Sequence, residues 1–130
     1  MSRALWQKLG YASGTTALLD AAPPDYMRWV AGLPDDVAFT DDLDARPSFV
    51  HLFVTERAGL ADALAVYADV ITRDGMIWVS WPKTSSGIET DVTGDVVRAA
   101  AFPVGLVDVK VCAVDATWTA LKLVIRRSLR

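Results

Sequence analysis

Two short runs, Phe49–Thr55 (FVHLFVT) and Met76–Trp81 (MIWVSW), are almost wholly apolar and β-prone, with no alternation of polar and apolar positions. Strands of that kind are covered on both faces, which calls for helices above and below the sheet. The stretch between them supplies one. Leu60, Ala63, Leu64, Tyr67, Val70 and Ile71 recur at steps of three and four, with Asp62, Asp69 and Arg73 elsewhere on the wheel. Strand, helix and strand in this order form a parallel crossover unit, and the rest of the chain must be built around it.

The flanking segments extend the same alternation. Leu5, Trp6 and Leu9 predict a short helix ended by Gly10, and Thr15–Ala21 (TTALLDA) is an apolar run bounded by Gly14 and Pro23. Pro24 suits the first turn of a helix whose face is Tyr26, Trp29, Val30 and Leu33, stopped by Gly32 and Pro34. A second strand is expected over about Val37–Thr40, and Thr55 is expected to cap the helix that follows it. Beyond Asp74-Gly75, the strand Met76–Trp81 is broken by Pro82, and a polar loop runs from Lys83 to Thr90. Asp91 or Thr93 can cap a helix through Val96, Val97 and Ala100. Val107–Val114 and Leu121–Arg127 then form an antiparallel hairpin around Asp115-Ala116-Thr117-Trp118. The expected class is α/β: one domain over residues 1–130, three layers, and a mostly parallel sheet ending in that hairpin. The short link from the acidic second strand to Phe49 leaves the sheet order there open.

Composition narrows the function classes. No apolar run approaches the ~20 residues that span a bilayer, and the N-terminal segment Met1–Lys8 lacks the apolar stretch of a secretory signal. A soluble, cytoplasmic protein is expected. A net charge of −3 argues against a general nucleic-acid binder, although charge is unevenly spread. Seven aspartates against Arg28 alone lie between Asp20 and Asp44, while Lys122, Arg126, Arg127 and Arg130 crowd the last nine residues. With one histidine and one cysteine, no metal site of ordinary spacing is visible, and no cofactor is expected. His51 alternates with Phe49 and Phe53 and reads as a buried, hydrogen-bonded core residue, and Cys112 reads as part of a buried strand with Val109, Val111 and Val114.

Several segments carry a family resemblance. VHLFV (50–54), GMIWVSWPK (75–83), GLVDVKVCAVD (105–115) and, above all, WVSWPKTSSGIETD (78–91) resemble the bacterial DUF3052 family, whose function is unknown. The element order also resembles class I S-adenosylmethionine-dependent methyltransferases, whose Rossmann-like sheet ends with an antiparallel strand inserted beside its neighbour. That resemblance implies a reduced, methyltransferase-like, single-domain Rossmann-like sandwich lacking one strand and helix. It further implies a cofactor turn after the first strand. Asp20 fits the acidic position there, but Ala21-Ala22-Pro23-Pro24 replaces the glycine-rich turn, and Asp41, 21 residues after Asp20, fits the acidic residue that holds the ribose. Glycines would let the backbone present N–H donors at a helix N-terminus, whereas two prolines remove two donors.

Ligands of open parallel sheets bind beyond the carboxyl ends of the strands. That rule selects Asp20, Thr55, Glu56, Trp81, Lys83, Ser85, Ser86, Asp91, Asp115 and Trp118 as candidate ligand-binding residues, and the resemblance adds Asp41. Lys83 offers a cation beside the hydroxyls of Ser85 and Ser86, suited to phosphate or carboxylate, without the leading glycines of a phosphate loop. Asp91 is a carboxylate that could instead cap a helix, and Trp81 and Trp118 could either flank a ligand or pack over the sheet. No catalytic constellation is visible. The expected function is a noncatalytic or regulatory binding module for a protein partner or a small acidic ligand. The alternatives are a methyltransferase-like enzyme with an altered cofactor site and an RNA-associated module using Lys122, Arg126 and Arg127. A homodimer is left open.

Overall fold

The computed structural model describes residues 3–130; Met1 and Ser2, the start of the segment read above for a leader, lie outside it. Six strands form one sheet: β1 (Thr16–Asp20), β2 (Ala38–Phe39), β3 (Phe49–Phe53), β4 (Met76–Pro82), β5 (Leu106–Ala113) and β6 (Trp118–Ile125), in the order β2-β1-β3-β4-β6-β5. The first four strands are parallel, and β6 runs antiparallel between β4 and β5. The four helices are α1 (Leu5–Leu9), α2 (Tyr26–Trp29), α3 (Leu60–Val70) and α4 (Gly94–Ala101).

All five side chains of β3 are buried, as its unbroken apolar pattern requires. They divide by parity between two cores. Val50 and Leu52 join Leu60 and Leu64 of α3, Val97 and Ala101 of α4, and Leu121 and Leu123 of β6. Phe49 and Phe53 join Leu9 of α1, Tyr26 of α2 and Trp78 of β4 on the opposite face. The result is the expected three-layer sandwich with an antiparallel strand inserted near its end. Among the described residues, no helix is long and apolar enough to cross a membrane.

Local expectations are corrected at several points. β2, expected over about Val37–Thr40, is only two residues long and exposed, and the short link to β3 carries a single 3-10 turn (Leu43–Ala45), having few apolar residues to bury. Thr55 does not cap α3; Gly59, in the left-handed region at φ 81°, precedes that helix. Asp91 does not cap α4 either, since the Thr93 hydroxyl accepts from the Val96 N–H. Trp118 opens β6 instead of sitting in the turn. Cys112 and Val114 are buried, but Val109 and Val111 are 53% and 59% exposed, because β5 is the sheet's outer strand and its register shifts between Asp108 and Lys110.

Within the α1–α2 core lies a chain of four polar groups. The Tyr11 hydroxyl is 2.7 Å from that of Tyr26, which is 2.9 Å from His51 Nδ1, and His51 Nε2 is 2.7 Å from Ser80 Oγ. A neutral imidazole donates once and accepts once, so it is satisfied at both ends without a charge. Burial accordingly pulls the His51 pKa down to about 3. Burial likewise pushes the phenols of Tyr11 and Tyr26 well above their ordinary value. In the same core, the Trp78 indole N–H donates to the Leu9 carbonyl at 2.7 Å, fastening α1 to the sheet.

The His51 chain makes stability depend on acid. The folded-state pKa lies below the ordinary 6.5, so on acidification the unfolded chain takes up the proton first. The stabilisation is complete above about pH 6.5 and is lost between there and about pH 3. The loss is on the order of 5 kcal/mol for a group this buried. Urea unfolding at stepped pH should show this slope in the wild type and a shallower one in His51→Gln; parallel slopes would remove the assignment.

Candidate functional site

The carboxyl ends of β1, β3 and β4 open onto one edge of the sheet, and β5, which runs the same way, brings the hairpin turn to that edge. After β1 the chain turns sharply at Ala21, whose φ of 57° is left-handed and unusual for a residue with a β-carbon. Ala21 sits where the resemblance places the cofactor turn, so the backbone bends there without glycine. Pro23 and Pro24 then remove two N–H donors, and α2, with only four residues, follows.

Asp20 and Asp41 are brought together: both line an open cavity of about 330 Å³ with Leu18, Leu19, Ala21, Leu43 and Tyr67. Its carboxylate at β1 is already engaged, because the Tyr67 hydroxyl, reaching over from α3, donates to Asp20 Oδ2 at 2.5 Å. Burial, followed by this bond and the charge of Asp20, pushes the Tyr67 phenol well above its ordinary value. The sequence reading had assigned Tyr67 to the core face of α3; its place at the i+7 step from Leu60 concealed the polar end of the side chain.

Thr55 and Asp91 meet in a second, larger cavity of about 500 Å³, which Glu56, Glu89 and Thr90 complete. The two loops that form it are tied together: the Thr90 hydroxyl donates to the Thr55 carbonyl at 2.6 Å, and the Arg57 N–H donates to Asp91 Oδ1 at 2.7 Å. Glu56 is among the residues that the carboxyl-end rule selects, whereas nothing in the sequence distinguishes Glu89 from other exposed acidic loop residues.

The remaining candidates serve the hairpin and the loop after β4. Lys83 Nζ donates to the Asp115 carbonyl at 2.7 Å, and the Asp115 side chain accepts from the N–H groups of Thr117 and Trp118. Ser86 Oγ donates to the Lys83 carbonyl, whereas Ser85 is exposed at the apex of the 3-10 turn Thr84–Ser86. Trp81 packs against the α3–α4 core and Trp118 against the other, with the Trp118 ring edge-on to Phe53 at 5.1 Å. The two indoles thus lie on opposite faces of the sheet and line neither cavity. The basic residues of the last strand are also dispersed: Lys122 is half-buried opposite Trp78, and the Arg126 guanidinium lies over the Phe102 ring at 4.9 Å.

Residues 34–127 match the family described as "Protein of unknown function (DUF3052)". The chain belongs to this family. No curated protein matches the DUF3052 chain. Among solved structures, it is similar to a chain of the Haloferax volcanii complex between the Trm112 methyltransferase activator and its candidate methyltransferase, at 12% identity and a TM-score of 0.63, over 95% of this chain and 87% of that one. A TehB-like SAM-dependent methyltransferase from Corynebacterium glutamicum aligns at 12% identity and a TM-score of 0.55, covering 94% and 85% of the two chains. A ribosomal protein L11 methylase from Lactobacillus delbrueckii subsp. bulgaricus aligns at 9% identity and 0.56, covering 95% and 75%. At these identities the likeness establishes the fold, and the DUF3052 domain is Rossmann-like and methyltransferase-like in architecture.

Two substitutions test the local geometry. Ala21→Gly should stabilise the domain by about 1 kcal/mol, because glycine occupies a left-handed turn without penalty; a loss of stability in chemical unfolding would contradict the turn. Lys83→Ala should cost about 1.5 kcal/mol, the low end of the range for a hydrogen bond to a charged group, because Lys83 is only half-buried. If Lys83 were a free surface cation instead, thermal unfolding of that variant would match the wild type.

Proposed function

We propose that this DUF3052 domain is a noncatalytic or regulatory binding module, which uses the carboxyl edge of its sheet to take a protein partner that presents basic side chains. The observation that carries this reading is the lining of the larger cavity: Glu56, Glu89 and Asp91 supply three carboxylates and Thr55 and Thr90 two hydroxyls. The neighbouring cavity adds Asp20 and Asp41. Such a field attracts cationic groups and repels anions, which makes a small acidic ligand the less favoured occupant. Lys83, the cation that favoured an acidic ligand, has its ammonium committed to a backbone carbonyl of the hairpin. The Haloferax structure, in which a protein of this fold is held with an activator, is a precedent for a partner-dependent role.

A methyltransferase-like enzyme is the second reading, and the meeting of Asp20 and Asp41 in one cavity favours it. Against it stand the missing donors at Pro23 and Pro24 and the engagement of Asp20 by Tyr67. Calorimetric titration separates the two. Hexa-arginine peptide should bind saturably, with affinity falling steeply as salt rises, and a Glu56→Lys/Glu89→Lys variant should lose at least about fivefold, or roughly 1 kcal/mol. S-adenosylhomocysteine should give no saturable heat. Micromolar binding of S-adenosylhomocysteine, weakened by Asp41→Ala, would reverse the order of the two readings.

A further inference from the structure

A third cavity, of about 330 Å³, lies at the opposite, amino-terminal edge of the sheet. Its walls come from the ends of strands at that edge: Arg46 precedes β3, Ile71 and Arg73 precede β4, Val104 and Gly105 precede β5, and Ile125 ends the reversed β6, with Leu129 beyond it. Ile71, Val104, Ile125 and Leu129 form an apolar lining, and Arg46 and Arg73 bring two guanidinium groups against one carboxylate, Asp69. The ion pairs among the described residues join Arg28 to Asp25 and Arg98 to Asp95 and Asp108, so neither cavity arginine is neutralised by a carboxylate within 4.0 Å.

Of the two, Arg73 is held in place without being consumed. Arg73 Nη1 donates to the Leu129 carbonyl at 3.2 Å, and Arg130 Nε, on the same terminal turn, donates to the Ile125 carbonyl at 2.7 Å. A guanidinium has five N–H donors, so each anchor leaves most of the fork open while fixing its base. Arg46 shows a second sign. Its φ of 50° is left-handed, a conformation glycine would adopt at no cost, yet a long cationic side chain stands there.

From the combination of an apolar lining with two arginines that no carboxylate neutralises, one of them anchored, we infer that this amino-edge cavity binds a small amphiphilic anion: a phosphate or carboxylate head on a short apolar body. The head meets Arg46 and Arg73, and the body covers Ile71, Val104, Ile125 and Leu129. A volume of about 330 Å³ lies near the lower end of the range for ligand pockets, which limits the body to a short chain. The site is remote from the acidic carboxyl edge, and the inference stands whether or not that edge binds a partner.

Hexyl phosphate, hexanoate, inorganic phosphate and hexanol test head and body separately, each titrated into 15N-labelled protein and followed by amide shift changes. The expected result is saturable binding of hexyl phosphate or hexanoate, with the largest shifts at residues 46, 71–73, 104–105 and 125–129. Inorganic phosphate and hexanol should each bind at least about tenfold more weakly. Arg73→Gln should weaken the amphiphile at least fivefold, and so should Arg46→Gly, which relaxes the backbone at that position and so keeps the fold. Equal binding by the variants, shifts centred elsewhere, or no saturation by either amphiphile would overturn the inference; binding of inorganic phosphate as tight as the amphiphile's would overturn the role of the apolar lining.

Discussion

The domain depends on β3 being covered on both faces. With Phe49, Phe53 and His51 turned to one core and Val50 and Leu52 to the other, this strand, wholly buried, contributes to both of the cores that flank the sheet. Burial on this scale is strongly favourable, yet it places an imidazole where no water reaches it. Tyr11, Tyr26 and Ser80 resolve that conflict by hydrogen-bonding the ring in its neutral form. The same chain of bonds ties the loop after α1, the helix α2 and strand β4 to β3, so the polar group also specifies how the elements on that face are arranged.

Around this frame, the carboxyl edge has the layout of an open α/β sheet with a chemistry of its own. The turn after β1 bends through a left-handed residue, but alanine makes it and prolines follow. Asp20 stands at the end of β1, but Tyr67 occupies its carboxylate. Lys83 braces the hairpin, and the loops after β3 and β4 gather three carboxylates about a cavity. The amino edge is the counterpart, with arginines at its rim and aliphatic side chains within. A chain with a net charge of only −3 therefore presents two edges of opposite character.

Much of the fold was legible because it follows from local patterning. Unbroken apolar runs marked β3 and β4, the three-and-four spacing marked α3, and glycines at Gly10 and Gly105 marked helix ends; the buried state of His51 followed from its alternation with two phenylalanines. The errors fell where a residue's role depends on a distant neighbour. Val109 and Val111 look like core residues, but whether a strand is central or at an edge is decided by pairing. Thr55, Asp91 and Lys83 look like caps or free ligands, but their partners lie 35, 34 and 32 residues away.

By itself, then, the sequence determined that this is an α/β sandwich with a closing hairpin, that its first turn lacks a cradle of glycine N–H groups, and that aspartates crowd the segment from Asp20 to Asp44. Hydrophobic periodicity, proline and glycine act over a few residues, so a linear reading captures them. Tertiary structure alone decided that Tyr67 meets Asp20, that Glu56 and Glu89 share a cavity with Asp91, that the two exposed-edge tryptophans face opposite ways, and that Arg46 and Arg73 converge. Each of these is a contact between segments far apart in the chain. Charge and hydrogen-bonding capacity are carried by single side chains, but their use is set by which loops the strand order brings to the same edge.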